Sequence, residues 1–578
     1  MNNVNTTNKL VQDKTFLKKA YNAALIPCML TILSGCVNII ADGIIVGQKA
    51  GANGLAAINL CIPVYLVLCI IGSFFVSGTA IPASQSIGSD NSEEAQKYYG
   101  SALTTCLISS AAAMLVGIFL TGPISGLLCS DDGIRPMVHD YTLVTLIGAA
   151  PKILIYIPFW FLRIDGKNKT VTLMMTVMGI GNVILDIVFM FLLNMGILGA
   201  ALASVIATAA ACILGFYGLH RKPSSFTLKP ALPNKKQWSK IAATGSPAAI
   251  NNLMQTVKLL FVNYVLAKYG GNDALAIFSV LNGITTFSDA VTVGVPQAGS
   301  AMLGVYHGEH DIKSLRIVIH LEFLSGIILS ALFGIVITAG ADLISTAYGI
   351  GLPMFIPMLC LAVSLYPALV NSILSTFYSI SSHPMLSNMI ITLRSFVFAA
   401  VTIFGFCLAG HIPWLFLPTA ELLTLAVWFV VSGIACRKKK NTSRFLLEDI
   451  SLEDSGKVIN FSLTGETEDI CSASERITDF CGENGMNPKQ TMRISLAIEE
   501  MLTLITQENK DAKINFDIRV FATDDIIGIR IRYNGIDFDP LSGDENDDKF
   551  MGIMIIKKLV KSTVYKRVLG LNTLIILI

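Results

Sequence analysis

The chain has 578 residues, 53% hydrophobic and 14% charged, with a mean hydropathy of +0.64. That balance excludes an ordinary soluble protein of this size and points to a polytopic membrane protein. Charge is unevenly spread: residues 451–578 carry 15 Lys+Arg and 21 Asp+Glu, and the 450 residues before them carry 27 and 19. The first part cannot have the charged surface of a soluble domain, whereas the tail can. The tail's acidic balance also excludes nucleic acid as its partner.

The 12 Cys stand singly, with no C-x-x-C pair, so neither a zinc site nor a disulfide framework is expected, and no resident cofactor is implied. The first apolar run, from near Tyr21, is longer than a signal-peptide core and passes through Ala41-Asp42-Gly43, so no cleavable signal peptide is expected.

A roughly 30 Å hydrocarbon core needs about 20 apolar residues per helix. Twelve such stretches are predicted, at 18–47, 54–86, 100–122, 138–162, 170–193, 196–219, 240–268, 275–304, 315–340, 352–379, 386–409 and 412–436. Basic flanks orient them: Lys9, Lys14, Lys18 and Lys19, then Arg163, Lys167 and Lys169, then the basic residues of 221–240 and 437–440. The positive-inside rule makes these flanks cytoplasmic, with both termini inside a multi-pass cell-membrane protein.

An internal repeat divides the spans in two. Gly51-Ala-Asn-Gly-Leu-Ala-Ala is echoed by Gly271-Asn-Asp-Ala-Leu-Ala-Ile, an offset of about 220. Downstream, Ala83-Ser-Gln-Ser-Ile-Gly88 is paired with Gly299-Ser-Ala-Met-Leu-Gly304, which matches Ser84 to Ser300 and Gly88 to Gly304 at an offset near 216. Each half starts and ends on the same side, so the repeats are parallel. The predicted organisation is a cytoplasmic segment at 1–17, a six-helix lobe at 18–219, a cytoplasmic linker at 220–239, a second six-helix lobe at 240–436, a basic linker at 437–450 and a tail domain at 451–578.

Charged side chains at bilayer depth cost about 2.5 to 3.5 kcal/mol each and so need a partner or a water-filled cavity. Asn38 and Asp42 lie one turn apart on the first span, and Asn182 and Asp186 are spaced alike on the fifth. If these faces converge, carboxylate and amide oxygens form a pocket suited to Na⁺ or to a carried proton. Na⁺ at Asp42, Asn182 and Asp186, or H⁺ there, is the coupling ion considered. The second half offers Gln255, Lys258, Asp289, Arg394 and Glu421, and the fourth span Lys152. Lys258 with Asp289 or Glu421 reads either as a structural ion pair or as part of a substrate pathway. Pro27, about four turns before Asp42, is a candidate bend in the first helix.

The run Asp42-Gly-Ile-Ile-Val-Gly47 with Gly51-Ala-Asn-Gly-Leu-Ala-Ala, the Arg163-Ile-Asp-Gly166 loop, the Asn182 to Asp186 pair and Gly196-Ile-Leu-Gly-Ala-Ala resemble the multidrug and toxic compound extrusion (MATE) transporters over about residues 15–436. The resemblance implies a V-shaped pair of six-helix lobes that exports organic, often cationic, compounds in exchange for Na⁺ or H⁺. It also implies cation-linked roles for Asp42, Asn182 and Asp186. Where some members carry an acidic residue in the seventh span this chain has Gln255, so the cation site is expected in the first lobe.

In the tail, 513–520 and 527–533 alternate apolar and polar residues about a turn at Thr523-Asp-Asp, and 572–578 reads as an apolar strand. Helical periodicity fills 472–481, 488–508 and 551–561. The fold class is therefore an all-α polytopic membrane protein, twelve transmembrane helices in two six-helix repeats, plus a small cytoplasmic α+β sandwich domain. The order of tail elements resembles the ATP-binding domain of histidine kinases and, more closely, the anti-sigma serine kinases. Glu500 matches the first residue of their metal-binding box, but Leu504 stands in the Asn place. Asn534-Gly535-Ile-Asp537 stands where they have D-x-G-x-G, and the second glycine box is reduced to Phe550-Met-Gly552-Ile. Leu can neither ligate Mg²⁺ nor accept a hydrogen bond, so the tail is expected to be a degenerate, regulatory or docking module with a cytoplasmic protein partner.

The leading function is an antiporter of small organic molecules, not an enzyme. A lipid or glycolipid flippase of the wider superfamily, or an ATP-binding signalling protein acting through the tail, are the alternatives. A flippase needs a strongly cationic cavity, and a signalling ATPase needs an intact nucleotide site.

Overall fold

The computed structural model describes residues 14–577 apart from 130, 132, 223, 349–350, 382, 439–442, 444, 452–454, 456, 486, 510–512, 523–526 and 543–560. The chain divides into two compact units, one made of Tyr21–Arg221 and Phe226–Ile434 and a second built chiefly on Ala435–Ile578.

The first unit is helical because an apolar run in hydrocarbon must satisfy every backbone polar group within itself. Helices α1 (Lys14–Gly88), α2 (Ser92–Leu128), α3 (Arg135–Ile147), α4 (Ala149–Leu154), α5 (Tyr156–Ile164), α6 (Asn168–Asp186) and α7 (Gly196–His220) make its first lobe. Helices α8 (Lys235–Tyr269), α9 (Gly271–Thr292), α10 (Gly294–Gly308), α11 (Ile312–Ala339), α12 (Ala341–Ala347), α13 (Phe355–Ile380), α14 (Pro384–Thr392), α15 (Phe398–Leu408) and α16 (Phe416–Lys438) make the second. Among the described residues ten helices are long and apolar enough to cross a bilayer, and the bent pair Arg135–Ile147 and Ala149–Ile164 brings the number to eleven. The remaining expected span is α8, helical over 35 residues but too polar along its length to qualify. The fourth span, expected as one straight helix, is bent by 59° where Gly148 separates α3 from α4. Helix α1 contains the first two expected spans, and its backbone departs from helical geometry at Gly51 (φ 65°, ψ −163°). It stays helical through Pro27, whose carbonyl accepts from Thr31 Oγ1 at 2.8 Å and from Thr172 Oγ1 of α6 at 3.3 Å.

The repeat is visible in backbone detail, and its offset is 220 throughout. Gly51 and Gly271 both hold positive φ at the turn between paired helices. Gly88 ends α1 and Gly308 ends α10; Asp90 and His310 both have positive φ, and the Asn91 and Asp311 side chains cap α2 and α11. The pairing of Gly88 with Gly304 and of Ser84 with Ser300 is therefore corrected to Gly88 with Gly308 and Ser84 with Gly304. These mates also meet. A Cβ on Gly304 would fall on Ser84 Oγ, and Gly308 lies against the Gln85 carbonyl. Thr244 Oγ1 of α8 donates to Gly78 O at 2.9 Å, and Gln85 Nε2 donates to Ile380 O, so the lobes are joined near the loops that follow α1 and α10.

The tail unit is a five-stranded antiparallel sheet in the order β1-β2-β3-β5-β4, with β1 (Val458–Thr464), β2 (Asn515–Ala522), β3 (Ile527–Tyr533), β4 (Ser562–Val568) and β5 (Leu571–Leu577). Strands β2, β3 and β5 match expectation. Strands β1 and β4 are additional: in β4 the adjacent Lys566 and Arg567 interrupt the alternation, whereas β1 alternates from Ile459 to Thr464 and was simply not singled out. Helices α17 (Thr467–Glu483) and α18 (Pro488–Glu508) set Ile470, Ile477, Ile498 and Met501 against Phe516, Ile518, Ile529 and Leu574 in one core. The expected turn at Thr523 and the expected helix at 551–561 lie almost wholly outside the described residues.

Candidate functional site

In the first lobe α1 and α6 bring Asp42 and Asp186 within electrostatic range of each other. Asp186 is fully buried, and neither of its oxygens has a hydrogen-bond partner among the described residues. The same holds for Asp42 Oδ1 and for Asn182 Nδ2, one turn before Asp186. Asn38 is helical in α1, and its side chain is not among those described. Directly after Asp186 the helix widens to a π turn over Ile187–Leu192, a local irregularity often associated with ligand sites.

Cationic and phenolic groups surround this pair. Lys152 of α4 lies within electrostatic reach of Asp42, donates to Ser204 Oγ at 3.2 Å and sits 5.2 Å from the centre of the Tyr65 ring. Tyr141 of α3 is close to both acids. Tyr65 and Tyr141 were not singled out by sequence, since aromatic residues in an apolar run carry no signal of their own. Among the described residues no group of three or more His, Cys, Asp and Glu side chains is arranged for a metal ion.

The second lobe is organised differently. Arg394, on a π turn over Leu393–Val397, donates from Nε (3.1 Å) and Nη2 (2.9 Å) to Glu421 Oε1. The other oxygen, Oε2, accepts from Asn371 Nδ2 of α13 at 2.7 Å. The partner of Glu421 is thus Arg394 rather than Lys258. Asp289 Oδ1 accepts from Thr292 Oγ1 at 3.2 Å, and Lys258 stands within electrostatic range of Asp289 and Glu421 with no ion pair to either among the described residues. Gln255 is exposed on α8.

Sequence reasoning missed Glu322. It lies fully buried in α11, both oxygens without a partner among the described residues, against Gly299 and near Tyr21. The cost of a mid-span carboxyl, applied to 315–340, is the signal that would have found it. The Arg163-Ile-Asp-Gly166 loop turns at Gly166 (φ 73°), and Lys167 Nζ binds Asp165 Oδ2 at 3.3 Å and the carbonyls of Gly218, Leu219 and Arg221 at the end of α7.

In the tail, Leu504 is buried in the core and Glu500 is exposed on the same helix. The Asn534 side chain is taken up by the backbone, accepting from Asn515 N at 2.7 Å and donating to Lys513 O at 3.1 Å. Gly535 (φ 122°) sits against Asn509, whose Oδ1 accepts from Ile536 N at 2.9 Å. Asp537 Oδ1 accepts from the Tyr565 hydroxyl at 2.7 Å. Gly552 lies outside the described residues.

The family model MatE matches residues 27–192 and 247–408, one segment in each lobe and together more than half of the chain. The chain belongs to the MatE family. It is accordingly a multi-pass membrane transporter and not an enzyme. Similar curated proteins include the multidrug export protein MepA of Staphylococcus haemolyticus, 25% identical over 55% of this chain and 70% of that protein. Another is an FAD transporter of Shewanella oneidensis, 28% identical over 48% of this chain and 62% of that protein. Among solved structures, MATE in complex with MaL6 aligns with a TM-score of 0.69 at 20% identity, over 76% of this chain and all of that one. An outward-facing MATE family multidrug resistance transporter aligns at a TM-score of 0.67, with the same identity and coverage. These likenesses establish the fold of the MatE unit.

Proposed function

We propose that this MatE transporter is a secondary antiporter that exports organic, often cationic, drugs or metabolites in exchange for Na⁺ or H⁺ bound at Asp42 and Asp186. The observation that carries the reading is the approach of two carboxyls from different helices, Asp186 buried and Asp42 half-buried, with unpartnered oxygens beside the Asn182 amide. Two like charges at short range in a low-dielectric interior repel, and one proton or one Na⁺ between them relieves that repulsion. A cationic substrate competes for the same negative charge, so that binding the ion releases the cargo. Lys152, close to Asp42, limits the net negative charge of the empty site. Multidrug export by the MepA relatives and flavin-nucleotide transport by the Shewanella relative both support export of organic molecules.

The basic loops support a reading in which both termini lie in the cytoplasm of a cell-membrane protein. The tail serves as a regulatory or docking module rather than an ATPase. This is supported by Leu504 lying in the core and by the Asn534 side chain being spent on the backbone. The deciding experiment is efflux of a fluorescent organic cation from proteoliposomes under an imposed Na⁺ or H⁺ gradient without ATP. Gradient-driven movement names the ion, and movement that requires ATP overturns the reading.

A further inference from the structure

The 220-residue repeat aligns Pro27 with Pro247, Gly51 with Gly271 and Gly88 with Gly308, and on the same offset it sets Lys258 against Asn38. Asn38 lies one turn from Asp42 on α1. The second lobe therefore presents a base at nearly the place where the first presents an acid.

Lys258 is poorly explained as a structural charge. Glu421 has both oxygens taken, one by Arg394 and one by Asn371, and Asp289 is turned to Thr292. Among the described residues no acid lies within ion-pair distance of the ammonium. Gln255, one turn earlier on the same helix, is exposed at mid-span, as is Asn282 on α9, one face with Asp289. Exposed amides on membrane-spanning helices face water rather than lipid, since hydrocarbon offers them no hydrogen bond. The polarity that keeps α8 from qualifying as a plain apolar span falls on this face.

We infer that Lys258, flanked by Gln255, forms a subsite in the second lobe that takes an anionic oxygen group, carboxylate or phosphate, of an organic substrate. The inference rests on the export reading, and it extends the substrate class from simple cations to molecules that also carry a negative end. Such a molecule meets acids in one lobe and a base in the other.

The test uses the full chain in nanodiscs and two probes, a rhodamine bearing a free carboxylate and its ethyl ester, with binding read by fluorescence anisotropy. Wild type is expected to hold the acid about tenfold tighter than the ester, the scale of one charge-assisted hydrogen bond. Lys258→Gln is expected to lose that preference, and Lys258→Arg to keep it. Displacement of the acid probe by acetate assigns a carboxylate subsite, and displacement by inorganic phosphate a phosphate one. If wild type shows no preference, if the preference survives in Lys258→Gln, or if neither anion competes, the subsite is overturned. Competition in wild type decides the matter even if a variant does not fold. Absence of gradient-driven flux of either probe, with the binding preference intact, would instead count against the export reading alone.

Discussion

Arg394 meets Glu421 inside the second lobe through two nitrogens on a single carboxylate oxygen, at 3.1 and 2.9 Å, while Asn371 holds the other oxygen. Each of these polar groups is tolerable in the membrane because the others are present. Truncating either charged member leaves the other largely enclosed without its counter-charge, a loss of up to about 3 to 5 kcal/mol for a fully buried pair. Glu421→Ala is therefore expected to lower the melting temperature of the purified protein strongly, as is Arg394→Ala. The double change Arg394→Met with Glu421→Met is expected to cost much less, and a thermal-shift series in one detergent compares the three.

Asp42→Asn and Asp186→Asn each remove one of two facing carboxyls while keeping shape and hydrogen-bonding capacity. Coupled efflux is expected to fall to background in either variant, with folding and expression close to wild type because the remaining carboxyl no longer faces a like charge. Proteoliposome flux together with size-exclusion profiles measures both. An unchanged efflux rate in Asp42→Asn would remove the coupling role assigned to it.

The glycines at the ends of α1 and α10 have no room for a side chain. A Cβ on Gly88 would fall on the Val305 carbonyl, and one on Gly308 on that of Gln85. Gly88→Val is expected to separate the lobes at this end. The readout is maleimide labelling of an engineered cysteine at Ile380, whose carbonyl accepts from Gln85, and labelling should rise several-fold over the Gly88 background.

In the tail, burial pushes the Cys481 thiol from an ordinary value of 9.0 up to about 11. The raised value means that Cys481 favours the folded tail below about pH 9 and that this contribution is lost as pH rises toward 11. Cys471 is exposed on the same helix. At pH 7.5 an alkylating reagent is expected to modify Cys471 within minutes and to spare Cys481 until the tail unfolds, so mass spectrometry of residue-specific labelling reports tail folding within the intact chain.

The helices of the membrane unit, and the acids of its first lobe, were legible in the sequence because both follow from one quantity, the cost of polar groups in hydrocarbon. Asp42, Asn182 and Asp186 stand out against apolar neighbours and lie together in the fold. The pairing inside the second lobe was not legible, since Lys258 and Arg394 offer the same charge and only the packing of α13, α14 and α16 decides which of them reaches Glu421. The repeat was readable but misaligned by four residues at Gly88, because Gly and Ser recur at one-turn spacing along both helices. Capping side chains at Asn91 and Asp311 fix the true offset. In the tail, β4 escaped because Lys566 and Arg567 stand side by side in it, whereas the alternation of β1 from Ile459 to Thr464 was there to be read.

The polarity of α8 also bears on how the protein enters its membrane during synthesis. A helix carrying Asn251, Asn252, Gln255 and Lys258 gains too little from lipid to leave the translocation channel alone. Gly271, with its positive φ, turns the chain directly into the apolar α9. The pair then partitions as a hairpin, with α9 supplying the driving force and α8 carried as its passenger.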